Sequence, residues 1–280
     1  MKTKQIIATC VFYFLNMVLI GCSNVNPPVK TNPLGNTIRD RIPAPEGYTW
    51  INEEIESFGE FLQAIELKAD GSPILDFQYE PIGNQNEHVA VLNYDVGNSD
   101  LQQCADAVIR LRAEYLFQQK RFDEIQFHFT SGDLFRWNDY KNGFRAKVSP
   151  SNQVIFEHTA PTDSSYQNFR KYLNAVYMYA GTISLNKETH KVTNNKQIKS
   201  GDIIVTPGSP GHAVMIVGRA KNKAGNILYL IAEGYTPAQS IHIITNPFAG
   251  TNPWYSLDVN KHPTITARYV FSQTNIRTFE

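Results

Sequence analysis

The chain is poor in several things that would otherwise direct its reading. Only three cysteines occur in 280 residues, the 26 basic and 26 acidic residues cancel, and no internal repeat or low-complexity run is present. Balanced charge gives no support to a polyanion-binding or nucleic-acid role. There is no HExxH, and His88, His128, His158, His190 and His262 lack ligand spacing. A zinc site built from Cys104, His212 and a further histidine is therefore the weaker reading, and the expectation is no metal and no cofactor. The one long apolar run lies at the very start, where "MKTKQIIATCVFYFLNMVLIG" sets two lysines ahead of a stretch too short and too clearly flanked for a membrane span.

That run reads as a secretory signal over residues 1–21. The "LIGCS" after it resembles a bacterial lipobox, whose cysteine is acylated, so Cys22 is the expected lipid anchor. The localisation implied is a lipoprotein of the cell envelope, in the outer membrane. Loss of Lys2 and Lys4 leaves 24 basic against 26 acidic residues. Cys10 departs with the signal and Cys22 becomes a thioether, so Cys104 is left as a lone thiol and no disulfide can form within one mature chain. A buried small hydrophobe is the plain reading of such a residue.

Residues 22–47 are rich in Pro, Asn and Gly without apolar periodicity, as expected of a flexible tether. Residues 48–280 then read as a single domain, a monomer. Helical spacing appears in 57–67 at Phe58, Phe61, Leu62 and Ile65, and in 163–180 at Phe169, Leu173, Val176 and Tyr177. A third helix is predicted after Asp100, with Gln103 at capping-box spacing and a stripe of Leu101, Cys104, Ala105, Val108, Leu111 and Tyr115, which puts Cys104 in the first turn. Strands are predicted at 88–94 and 124–131. From Gly201 onward "DIIVT", "HAVMIVGRA", "NILYLIAE", "QSIHIIT" and a closing "ITARYVF" are all β in character. The fold class is α+β, with N-terminal helices packed on a mainly antiparallel sheet.

His212 and Glu233 stand out because each sits at the end of a run that is apolar on both faces. A carboxylate near a buried strand end needs a partner. A hairpin through "KNKAGN" that pairs Ala220 with Ile227 sets Val214 opposite Glu233. His212 and Glu233 then share a face, at diagonal positions roughly 7–8 Å apart, and a one-residue slip separates them. A thiol at a helix start beside an imidazolium is biased toward thiolate, and a carboxylate on the far ring nitrogen fixes the histidine. First-turn N–H groups are placed to receive an oxyanion. Gln239 and Gln103 are the alternative third polar group or substrate contacts. His242, within "SIHII", reads as an ordinary strand residue. Trp137, Tyr140, Trp254 and Tyr255 read as core anchors, with a groove lining as the alternative.

A cysteine at a helix start, "SGDIIV", "GHAVMIV" and a polar residue ending the next strand resemble the papain-like cell-wall hydrolases of the NlpC and CHAP types. That resemblance implies Cys104 as nucleophile, His212 as base and Glu233 as orienting acid, acting on an amide of a cell-wall peptide as a peptidase or amidase. It departs from the NlpC pattern in having "QCAD" where "DCSG" is usual. The blocks "DLQQCADAVIRLRAEYL", "FRKYLNAVYMYAGTISL", "GDIIVTPGSPGHAVMIV" and "AEGYTPAQSIHII" resemble a family of bacterial lipoproteins known only as a domain of unknown function. The competing expectation is a catalytically inactive papain-like lipoprotein that binds a peptide, glycan or partner protein.

Overall fold

The computed structural model describes residues 29–151 and 153–279. The signal segment, Cys22 and the first part of the expected tether lie outside the described residues. The rest of that segment is not a tether. Thr37 caps a short helix, Ile38–Arg41, and both Ile38 and Ile42 are fully buried, as their apolar side chains find a place against the main core. Composition rich in Pro and Asn marked this stretch as irregular, but two isoleucines are enough to dock it.

Nine strands build the main sheet: Tyr48–Trp50 (β1), His88–Val91 (β2), His190–Lys191 (β3), Ile203–Thr206 (β4), His212–Asn222 (β5), Ile227–Glu233 (β6), His242–Ile244 (β7), Trp254–Tyr255 (β8) and Ile276–Thr278 (β9). Their order is β2-β7-β6-β5-β4-β9-β3, with β1 on β5 and β8 on β6, and every pairing is antiparallel. The long β5–β6 hairpin is the spine. Its outer edges are each shared by two short strands: β4 and β7 near the open end, β1 and β8 near the turn. The observed class is α+β with an antiparallel sheet. The expected closing strand through residues 265–271 is absent from the sheet; Thr264–Ile265 and Val270–Phe271 form a small hairpin of their own, and the C-terminal β9 inserts beside β4 instead.

The three helices expected from the sequence form as Phe58–Gln63 (α1), Cys104–Gln118 (α2) and Tyr166–Tyr177 (α3). Ser57 and Ser165 accept from the third residue of α1 and α3, satisfying N–H groups that a helix start leaves unpaired. α3 has the expected amphipathic face, with Phe169, Tyr172, Leu173 and Val176 fully buried. α2 differs from the single stripe read from its sequence. It is enclosed on nearly all sides, and the charges on its second face are buried too: Arg110 donates from Nε to Glu114 at 2.5 Å and from Nη1 to Gln102 at 3.1 Å. A helix this buried keeps charge only because each charge has a partner. α2 lies against β5, and one face of the sheet joins the helices in the larger core while the other, with Val214, Ile216, Tyr229 and Ile231, is covered by the chain around Tyr255, Leu257 and Phe271.

Candidate functional site

The register of the β5–β6 hairpin decides whether His212 meets Glu233. At the turn, Ile227 pairs with Lys221 and Leu228 with Ala220, one residue away from the pairing expected from the sequence. Continued unchanged, that register would turn Glu233 to the face opposite His212. A β-bulge between Leu230 and Ile231 corrects it: Leu230 pairs with Gly218 but Ile231 with Ile216, leaving Val217 as the extra residue, and Ala232 then faces Met215. A bulge bends the strand and resets its facing. Beyond it, His212 and Glu233 share a face.

There, His212 Nε2 lies 3.1 Å from Glu233 Oε2. Both residues are almost fully buried, 2% and 1% exposed. Cys104 is the other polar neighbour that acts on the His212 imidazole. Burial works against the imidazolium, yet the bonds to Cys104 and Glu233 outweigh it and push the His212 pKa up to about 9. Burial likewise penalises the Glu233 carboxylate, and the His212 hydrogen bond together with the close approach of His242 overcomes it, holding the group down to about 2. The two directions agree: this is a buried ion pair. Tyr269, Tyr235 and Phe271 enclose the imidazole, with ring centroids at 4.7, 5.1 and 5.7 Å.

Cys104 is the first residue of α2 and is buried, 9% exposed. The residue at the helix N-cap is Gln103 rather than Asp100. The Gln103 main-chain N–H donates to Asp106 Oδ2 at 3.1 Å, whereas its side chain does not cap the helix: Nε2 donates to Asp100 and Oε1 accepts from Thr236 Oγ1, both at 3.0 Å. Asp100 also accepts from the Ala238 N–H at 2.7 Å. Gln103 and Asp100 thus tie the loop after Glu233 to the start of the cysteine helix. Gly234 makes the same approach possible, since a Cβ there would stand 2.9 Å from the Ala107 Cβ and 3.0 Å from the Gln103 carbonyl oxygen. Before His212, a Cβ on Gly211 would stand 2.5 Å from Thr182 Oγ1 and 2.7 Å from two carbonyl oxygens. Burial drives the Asp106 carboxyl well above the usual range, although the Gln103 N–H opposes this.

The other residues named from sequence are placed differently. Gln239 is buried but braces a neighbour, accepting from Arg268 Nη1 at 2.8 Å and donating to the Pro237 carbonyl at 2.9 Å. Gln103 is partly exposed and stands next to Cys104. Trp137, Tyr140, Trp254 and Tyr255 are all buried, as core residues are. Two residues were missed. His242 is paired directly opposite Glu233 in the β6–β7 ladder, its Nε2 3.4 Å from Glu233 Oε1, and Arg268 Nε lies 3.7 Å from the same oxygen. The alternation of "SIHII" could have put His242 on the Glu233 face, had the β6–β7 register been known; Arg268 gives no local signal. Among the described residues, no group of three or more His, Cys, Asp or Glu has the arrangement to hold a metal. The site thus sets a buried thiol at a helix N-terminus beside the His212–Glu233 pair, and three first-turn N–H groups have no partner within the helix.

No curated protein matches the chain, and no solved structure does. A family profile described as Domain of unknown function (4846) matches residues 38–278 and so takes in the docked N-terminal segment, the whole sheet and all of the site residues. The chain is a member of that family.

Proposed function

We propose that this protein is a cysteine-dependent amide hydrolase of the cell envelope with a papain-like core of the NlpC or CHAP type, acting on a cell-wall peptide or a similar amide and anchored by a lipid on Cys22. The observation that carries this reading is the buried His212–Glu233 pair, Nε2 to Oε2 at 3.1 Å, with Cys104 at the first position of a buried helix acting on the same imidazole. In the reaction, the Cys104 thiolate attacks the amide carbonyl carbon while first-turn N–H groups receive the developing oxyanion. The C–N bond breaks as the His212 imidazolium gives its proton to the departing amine, leaving an acyl thioester. Neutral His212 then takes a proton from water, which attacks the thioester, and Cys104 is released. Glu233 holds the ring in place throughout. Outer-membrane localisation and the anchor belong to this reading because the lipobox-like "LIGCS" precedes a mature chain in which no described helix is long and apolar enough to cross a membrane.

One observation favours the binding-module alternative: Cys104 and His212 are hardly exposed, and Tyr235 and Tyr269 lie across the imidazole. In that reading the enclosed site is inert and the surface around it binds a peptide, glycan or partner protein. Incubation of the mature protein with cell-wall stem peptides, followed by detection of newly released amines, separates the two. Wild type should release amine and Cys104→Ala should not; equal release, or none from either across a panel of such peptides, removes the hydrolase. Metabolic labelling with a fatty acid tests the anchor, with label expected on wild type and lost in Cys22→Ala.

A further inference from the structure

We propose that His242 is a positioning residue for His212, acting through a carboxylate that the two histidines share. Glu233 stands between them. Its Oε2 takes His212 Nε2 at 3.1 Å on one side, and its Oε1 faces His242 Nε2 at 3.4 Å on the other, in directly paired positions of neighbouring strands. His242 is fully buried, and its Nδ1 lies 2.8 Å from the Ser240 carbonyl oxygen, a group that only accepts. Nδ1 must therefore carry a proton, which fixes the ring and leaves Nε2 pointing at a carboxylate oxygen. His242 Nε2 is thereby held 3.4 Å from the carboxylate oxygen that His212 leaves free.

Burial makes this contact consequential. Glu233 Oε1, His242 Nε2 and Arg268 Nε are all buried and none has an aligned hydrogen bond, so the free carboxylate oxygen depends on the approach of His242 and Arg268. Arg268 is fixed from elsewhere: Nη1 donates to Gln239 at 2.8 Å, Nη2 to the Asn84 carbonyl at 3.3 Å, and Nε lies 3.4 Å from Glu87 Oε2. It supplies charge without following Glu233. The remaining titratable neighbours are His88, 6.0 Å from the His242 ring and held by the Ser72 carbonyl, with Tyr235 and Tyr255 near Glu233. A carboxylate engaged at both oxygens cannot rotate away from His212, and it stays ionised where burial favours its neutral form.

The inference deepens the hydrolase reading, but its test does not depend on turnover. The mature wild-type protein labelled with 13C at the glutamate carboxyl carbon is titrated by NMR, with Glu233→Gln assigning the resonance. In His242→Leu the Glu233 midpoint should rise by about one pH unit or more, which is roughly tenfold in the protonation ratio. His242→Gln keeps a side-chain N–H donor and should bring it back to within about half a unit. A purely structural histidine would lower thermal stability in both variants and leave the midpoint where it was; that result, in proteins folded by circular dichroism, overturns the proposal. Should His242→Leu not fold, imidazole 15N spectra of wild type and Glu233→Gln decide the matter. A His242 Nε2 signal that changes with the Gln substitution supports the shared carboxylate, and an unchanged one overturns it. Iodoacetamide labelling of Cys104 in the same samples keeps the two ideas apart: a native thiol that never reacts counts against the hydrolase while the carboxyl titration still decides the role of His242.

Discussion

The two ends of the β5–β6 hairpin are made from the same pair of strands and held by different physics. Toward the turn, Leu228, Leu230 and Ala220 on one face and Tyr229 on the other are packed between helices and the C-terminal chain, and burial of apolar area stabilises them with no regard to pH. Toward the open end, His212, Glu233 and His242 are just as buried, yet what stabilises them is charge and proton placement. The bulge at Val217 lies between the two. An apolar ladder tolerates a register set by its turn, whereas a buried carboxylate must meet its histidine, and the bulge lets one pair of strands satisfy both. Buried polarity without such matching would cost several kcal/mol per group, so the open end is where a function is worth seeking.

Substitutions should separate the ends. The largest effect belongs to Cys104→Ala, which should reduce amide hydrolysis by about 10⁴-fold or more while leaving the melting temperature within a few degrees of wild type. Glu233→Gln, nearly isosteric, should come next with a loss of roughly 10²–10⁴-fold, because the amide can present its N–H to the ring and favour the wrong tautomer. Its alkaline limit should also move down, and that movement in the pH–rate profile distinguishes it from a merely less stable protein.

At the apolar end, Leu230→Ala should remove about 2–5 kcal/mol of stability, measured by urea unfolding, and should do so equally at pH 5 and pH 8. The polar end should show the opposite pattern. His212 is raised from 6.5 to about 9 in the folded protein, so its contribution is fully present below 6.5 and lost as pH rises through about 9. Glu233 is lowered from 4.5 to about 2, so its contribution is present above 4.5 and lost as pH falls through about 2. Stability and turnover should therefore decline together toward pH 9, and a His212→Ala protein should lack that alkaline step in its unfolding curves. The smallest effect expected is that of Gly234→Ala, at about 1–3 kcal/mol, as its new methyl pushes the strand end from α2. Slower alkylation of Cys104 in the folded variant would report the lost thiol–imidazole contact; an unchanged rate would show that the approach at Gly234 does not set it.

Sequence alone determined a good deal. The helix periodicities of 57–67 and 163–180, the strand succession after Gly201, and the oddity of an acid and a histidine at the ends of apolar runs are local patterns, and local patterns come from the side-chain periods of helix and strand. They were enough to single out Cys104, His212 and Glu233. Tertiary structure decided the rest. Residues 29–47 became part of the fold because Ile38 and Ile42 had a core to enter, and α2 could carry Arg110 and Glu114 inside because their partners came from itself and from distant chain. The pairing expected at the hairpin turn was off by one, and a bulge that no local pattern announces restored the facing that mattered. His242 and Arg268 reached Glu233 only through strand order and a C-terminal loop. Proton placement depends on which groups meet within a few ångströms, and residues tens of positions apart meet only when the whole chain has chosen its packing.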